Sequence, residues 1–278
     1  MPETLPPILK WAGGKRWLIP RLQKLYDRDR RLLDLFAGGL SVTLGLNPER
    51  AIVNDINEHV INLYWQIRNG LTVDCELLND RDFYYAAREE FNQRTIADRQ
   101  WSKRSAILFY YLNRTGFNGL CRFNLKGGYN VPFGKYKTIN YQQDFLRYRE
   151  VMSRWRFING DFEDVVVWPD YFIYADPPYD TEFTAYSHGG FTWDDQERLA
   201  HWLAKQDCPV VASNQATPRI LELYSDLGFA IEVIDAPRSI SCKGDRAPAQ
   251  EMLATRNTSR LNFAELMPNK AKDNGIKP

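Results

Sequence analysis

Residues 171–179 read Tyr-Phe-Ile-Tyr-Ala-Asp-Pro-Pro-Tyr, an apolar run that stops on a carboxylate, two prolines and an aromatic ring. Short and bounded by turn residues, the run predicts a buried strand with Asp176 at its carboxyl end. These residue types suit transfer of a methyl group to an exocyclic amine. The lone pair of such a nitrogen is conjugated into its ring, and hydrogen-bond acceptors for the amino hydrogens free it by drawing the nitrogen toward sp³. Asp176 supplies one acceptor, and the Pro177 carbonyl supplies the second from a residue with fixed φ and no N–H. Pro178 stiffens the turn, which matters because positioning carries most of such a reaction. Tyr179 offers a face on which an extruded base can stack. By itself the motif leaves the amine open: adenine N6 or cytosine N4 in DNA, adenine in RNA, or a protein glutamine amide. A carbon-methylating cytosine enzyme would need a nucleophilic cysteine, usually after proline, and no cysteine here follows proline.

A second stretch, "LLDLFAGGLS" at 32–41, is an apolar run leading into Gly38 and Gly39 and then a short helix. Glycine at a strand's carboxyl end lets the backbone approach a ligand closely. The next run, "AIVNDIN", ends on Asp55, an acid able to accept from both hydroxyls of a ribose. A dinucleotide site wants G-x-G-x-x-G to cradle pyrophosphate, and only the glycine pair is present. S-adenosylmethionine has a sulfonium, an amino-acid end and a ribose but no phosphate, and is the better match. In "LKWAGGKR" at 9–16, Lys15 can hold the cofactor carboxylate and Trp11 can lie near the adenine or the sulfonium.

Elements must bring these stretches together. Strands are predicted at 31–36, 51–55, 156–161, 171–176, 208–214 and 229–236, with helical patterns between them such as 56–69 and 194–206, the latter capped by Thr192. That alternation implies an α/β fold, a mostly parallel sheet with helices on both faces. From about 57 to 145 the strand signal vanishes and the chain is helical and basic, which predicts an inserted domain. Residues 229–241 and 251–255 flank a turn-rich stretch and read as a C-terminal β-hairpin, and the polar tail reads as loose. The expected division is a catalytic domain at 1–56 and 146–265, a recognition domain at 57–145, and a tail at 266–278.

Net charge is +1 over 278 residues, but it is uneven. Arg94 to Arg149 holds eleven basic residues and two acids, so that block carries +9 and the remainder −8. Such asymmetry points to a polyanion-binding segment. The four cysteines and three histidines form no ligand cluster, so no metal is expected. With no apolar stretch of membrane-spanning length and no signal-peptide layout, a cytoplasmic protein without a membrane partner is expected, as a monomer in solution.

The chain resembles the Dam-type DNA adenine-N6 methyltransferases, which methylate adenine in GATC. The matching stretches are "LKWAGGKR", "LDLFAGGLSV", "NDIN", "LNRTGFNGLCRFNLKGGYNVPFGKYK" (112–137), "NGDF", "ADPPY", "FTAYS" and "RSIS", in the family's order from about 8 to 255. The resemblance implies a Rossmann-like S-adenosylmethionine-dependent sheet with an inserted DNA-recognition domain. It implies that Trp11, Lys15, Asp55, Asp161 and Phe162 contact the cofactor, with Phe36, Gly38 and Ser41 nearby. Asp176, Pro177 and Tyr179 would then act on a flipped adenine, Asp176 also bordering the cofactor, and Tyr186 would line the base pocket. Leu120, Arg122 and Pro132 would read bases of double-stranded DNA, while Phe117 and Asn118 would insert into the opened duplex. These types fit the roles, since arginine reads guanine bidentately, apolar groups meet the thymine methyl and an aromatic wedge fills a vacated stack. Arg94, Arg114, Lys126, Lys135 and Lys137 are candidates for phosphates, with Arg238 and Ser239 on the terminal hairpin. The chain departs from the family pattern in two places. Leu40 replaces the last glycine of Phe-x-Gly-x-Gly, and Phe117 stands where many members carry tyrosine before Asn-Gly.

Overall fold

Leu32 and Leu33 are both fully buried, yet they belong to different cores, because successive residues of a strand face opposite sides of its sheet. The computed structural model of the chain describes residues 4–97, 99–180, 190–236 and 249–258. Its strands are β1 (Arg31–Asp34), β2 (Ala51–Asp55), β3 (Trp155–Asn159), β4 (Tyr171–Ala175), β5 (Val210–Gln215), β6 (Ala230–Ala236) and β7 (Ala249–Arg256). They form one seven-stranded sheet in the order β3-β2-β1-β4-β5-β7-β6. The first five run parallel, and β7 lies antiparallel between β5 and β6. This is a Rossmann-like α/β fold. Strand order reverses beside β1, between β2 and β4, and there the carboxyl ends of the strands leave a crevice.

Eight α-helices join them: α1 (Ile19–Leu25), α2 (Ser41–Leu46), α3 (Glu58–Arg68), α4 (Arg81–Ile96), α5 (Lys103–Thr115), α6 (Leu146–Met152), α7 (Trp193–Ala204) and α8 (Pro218–Asp226), counted among the described residues. The Asn57 side chain caps α3 by accepting from His59 and Val60, and Thr192 opens α7 in a capping box with Asp195. One face of the sheet packs Leu33, Ile173 and Val210 against α7 and α8. On the other face Leu32, Phe172 and Tyr174 share a core with Tyr64 of α3 and with Phe91, Phe109 and Tyr129 from the helical segment. That segment leaves and re-enters through an antiparallel bridge of Thr72 with Asp144, and α5 within it is buried almost all round. Beyond α5 the chain folds back on itself through bridges of Gly116 with Phe133 and Phe123 with Tyr129.

The terminal strands differ from the sequence expectation in one respect. β6 and β7 do pair antiparallel, from Ala230 with Thr255 to Ala236 with Ala249, but β7 also pairs with β5. The hairpin completes the sheet and is no appendage to it. Among the described residues no helix is long and apolar enough to cross a membrane, and no three or more His, Cys, Asp or Glu gather as a metal site.

Candidate active site

A cavity of about 740 Å³ opens at the carboxyl ends of β1, β2 and β4. Trp11, Lys15, Phe36, Gly38, Ser41, Asp55, Asp161, Phe162, Asp176, Pro177 and Tyr179 all border it. Tyr186, Arg238 and Ser239 lie outside the described residues, as does the 266–278 tail.

The glycine pair after β1 is explained by Trp11. A Cβ on Gly38 would stand 2.6 Å from Trp11 Nε1, and one on Gly39 would stand 2.7 Å from Trp11 Cβ. The N-terminal segment thus lies across the turn, and Lys15 N–H reinforces it by donating to Ser41 Oγ at 3.2 Å. Next in the turn, Leu40 sits at φ 61°, the left-handed conformation that glycine adopts freely, with its side chain fully buried. Leucine therefore follows the glycine path, at the cost of local strain.

Acids rim the cavity on three sides. Asp55 Oδ2 accepts from Gly38 N–H and Oδ1 from Asn57 N–H, both at 2.8 Å. Burial raises its carboxyl to about 6 against the pull of those two donors. Asp34, at the end of β1, also borders the cavity. Its Oδ2 accepts from the Thr43 hydroxyl, while Oδ1 is buried without a hydrogen bond. Burial, reinforced by the charges of Asp176 and Asp55, raises this carboxyl to about 7. Asp161 is gripped by Arg198, whose Nη1 and Nη2 reach its oxygens at 2.7 and 2.9 Å and whose guanidinium lies 4.3 Å from the Phe162 ring centre. That bidentate contact holds the Asp161 carboxyl below the usual range. Asn54, fully buried, donates to the carbonyls of Leu35 and Gly160 at 3.2 and 3.1 Å, which ties together the carboxyl ends of β1, β2 and β3.

At the Asp-Pro-Pro-Tyr corner, Lys15 is only 2% exposed. Its ammonium lies 2.9 Å from Asp176 Oδ1, 2.9 Å from the Tyr179 hydroxyl and 3.0 Å from the Gly13 carbonyl. Burial works against this charge, but Asp176, Tyr179 and Glu251 outweigh it and hold the lysine well above its ordinary value. Ser213 Oγ donates to the same Asp176 Oδ1 at 2.9 Å. Both described partners of Asp176 thus occupy one oxygen, and Oδ2 has no donor among the described residues. The Pro177 carbonyl likewise accepts nothing among the described residues. Burial raises the Asp176 carboxyl although Lys15 and Ser213 oppose it. Pro178 is pinned through its carbonyl, which accepts from Gln196 of α7 at 2.8 Å, and Gln196 accepts in turn from Asn214 of β5 at 2.9 Å.

The predicted DNA-facing residues fall on the helical segment. Phe117 and Asn118 are exposed on a tight turn, where Asn118 (φ 52°) and Gly119 (φ 61°) are both left-handed. Phe117 N–H donates to the Pro132 carbonyl at 2.8 Å, which brings together the residue expected to insert and one expected to read a base. Arg122 is exposed and held along one edge, Nε donating to Asn130 Oδ1 at 2.7 Å. Lys126, Lys135 and Lys137 are exposed. Half-buried Arg114 reaches the Asn140 carbonyl, and half-buried Arg94 bonds Ser102 and Ser105 through Nη2 and Nε, leaving Nη1. Leu120 borders the cavity together with Cys121.

Sequence reading missed Asp34, Arg198, Ser213, Gln196, Asn214 and Glu251 as parts of this site. Asp34 could have been found, since it ends the same strand as the glycine turn. The rest meet the motifs only through helix and strand packing.

A family model described as D12 class N6 adenine-specific DNA methyltransferase matches residues 11–240. The chain is 36% identical over 266 residues to the retron Ec67 DNA adenine methylase of Escherichia coli, a match spanning 89% of this chain and 90% of that protein. It is 37% identical over 272 residues to the DNA adenine methylase of Haemophilus influenzae, spanning 89% and 92%. To the type II methyltransferase M1.LlaDCHI of Lactococcus lactis subsp. cremoris it is 33% identical over 278 residues, spanning 91% and 95%.

Proposed function

The chain belongs to the D12 class of N6 adenine-specific DNA methyltransferases, and from that premise we propose that it methylates adenine within GATC of double-stranded DNA, on a base swung out of the helix, with S-adenosylmethionine as donor. The observation that carries this reading is the pair of open acceptors at one corner of the cavity, Asp176 Oδ2 and the Pro177 carbonyl. They are what an exocyclic amine needs in order to become a nucleophile.

S-adenosylmethionine, when bound, supplies a methyl group activated by positive sulfur. The cavity suits it chemically, having carboxylates and aromatic rings in place of a phosphate cradle. Asp55 accepts from the ribose hydroxyls with the lone pairs that Gly38 and Asn57 leave over, and Asp34 Oδ1, buried and unbonded, is the acceptor suited to an ammonium. Asp161 and Phe162 flank the adenine end. Lys15 is committed to Asp176 and Tyr179, so its role is to keep Asp176 ionised and Oδ1 occupied, turning Oδ2 to the amine. Tyr179 and Pro177 bracket the extruded base, with Tyr186 completing its pocket.

Segment 57–145 acts as the recognition unit. Arg122 offers the outer edge of its guanidinium to guanine, Leu120 and Pro132 meet bases by apolar contact, and Phe117 with Asn118 fills the vacated stack. Arg94, Arg114, Lys126, Lys135 and Lys137 bind phosphates, joined by Arg238 and Ser239. Labelled cofactor and two duplexes differing only in one GATC test the reading. Label should enter the GATC duplex alone, and equal labelling of both would remove the sequence claim.

A further inference from the structure

We infer that Glu251, carried on β7 and part of none of the motifs, is a positioning residue of methyl transfer that fixes the Tyr179 ring and shares the charge of Lys15. The inference rests on the reading of Asp176 and Tyr179 as the residues that face the amine.

Glu251 is 7% exposed and stands in mid-strand, paired with Gln215 of β5 on one side and Ile234 of β6 on the other. A charged side chain on an interior strand is costly unless something holds it. Here Oε1 accepts from the Tyr179 hydroxyl, and Oε2, otherwise without a hydrogen bond, lies 3.6 Å from Lys15 Nζ. Three charges thus gather around one phenol: the buried Lys15 ammonium and Glu251 carboxylate, and the half-buried carboxylate of Asp176. Lys15 also donates to the Tyr179 oxygen at 2.9 Å, so that oxygen receives from lysine and gives to glutamate. The hydroxyl end of the ring is thus anchored from both sides.

Two consequences follow for the amine. A ring anchored at its far end keeps its place beside the base, so less of the stacking energy is lost in positioning it. A lysine balanced by two carboxylates also draws less on Asp176 than one balanced by a single carboxylate. Without Glu251 the ammonium would concentrate on Asp176 and weaken it as an acceptor for the amine. The site is therefore assembled from the first segment of the chain and its last described strand, with the Asp-Pro-Pro-Tyr turn between them.

Purified full-length Glu251→Gln, Tyr179→Phe and the double variant, with Asp176→Asn beside them, are compared on a GATC duplex with labelled S-adenosylmethionine. Glu251→Gln keeps the shape and removes the charge. It should lower kcat by about tenfold or more, with the KM for cofactor within about threefold and thermal melting close to wild type. Because one of the two effects of Glu251 runs through the tyrosine hydroxyl, the double variant should lose clearly less than the product of the two single losses. Wild-type turnover in Glu251→Gln, or losses that multiply in the double variant, would overturn the inference. If Glu251→Gln does not fold, Tyr179→Phe alone decides: it must lower kcat about tenfold with cofactor KM kept, and full turnover overturns the proposal. Full turnover in Asp176→Asn would instead sink the underlying reading of the corner, whatever Glu251 does.

Discussion

The two oxygens of Asp176 are not equivalent, and that inequality gives the sharpest residue-level expectation. Oδ1 is committed to Lys15 and Ser213, so on the proposed reading the amine would depend on Oδ2 and on the Pro177 carbonyl. Asp176→Ala should reduce turnover by at least about a hundredfold while cofactor binding persists, read by single-turnover methylation and calorimetry. Arg122→Ala should lose about 1–3 kcal/mol at one base position and relax choice there, whereas uniform weakening across sequences would make it a phosphate contact. A pH dependence follows from the buried acids. Burial raises Asp34 to about 7 and Asp55 to about 6, so each holds its proton more tightly folded than unfolded. The contribution of these two acids to the stability of the free protein should therefore fall as pH rises from about 4 to about 7 and then level, opposed below about 6.5 by His59, which burial lowers to about 4. Affinity for a cationic cofactor should move the other way, rising as these carboxyls ionise, and Asp34→Asn should flatten the upper part of that rise. Calorimetry across pH checks it. Asp55 and Asp176 were legible because each ends an apolar run in a recognisable stretch. Ser213 and Glu251 were not, since nothing local marks a serine or glutamate whose partner lies on another strand.

Among elements, the parallel strands were legible because burial on both faces writes them as unbroken apolar runs. β7 was read correctly as a strand but only as the limb of a hairpin, for its pairing with β5 is a non-local contact that no pattern within either strand announces. The turn after β1 combines a legible feature with a hidden one. The glycines were visible, but their cause, the Trp11 ring lying on them, was not. Gly38→Ala should cripple cofactor binding through its collision with the Trp11 indole, and Trp11→Ala should lessen the further damage done by Gly38→Ala, giving a coupling beyond about 0.5 kcal/mol in a double-mutant cycle. At Leu40 strain and burial oppose each other. Glycine in place of alanine ordinarily costs about 0.5–1 kcal/mol in regular structure. Since left-handed backbone strains a non-glycine residue by about 1–2 kcal/mol, Leu40→Gly should be no less stable than Leu40→Ala. Urea unfolding of the two variants decides it.

For the molecule as a whole, the basic block and its helices were legible from charge and from the loss of strand signal, but how they join the sheet was not. Their aromatic residues share a core with one sheet face, so the helical segment is fused to the sheet by packing. Binding of any duplex should weaken steeply with salt, and Lys135→Ala should reduce the slope of log K against log salt by about one. The junction has a further effect through Leu120 and Cys121, which wall the cavity while Phe117, Asn118 and Arg122 of the same stretch face outward. On the proposed reading one short piece of chain meets both ligands, and in a closed thermodynamic cycle any effect of one on the other's affinity is returned by the same factor. Donor and target would report to each other: a duplex with the right sequence would lengthen the residence of whatever fills the cavity, and spent cofactor would leave sooner once the enzyme has moved to sequence it does not read.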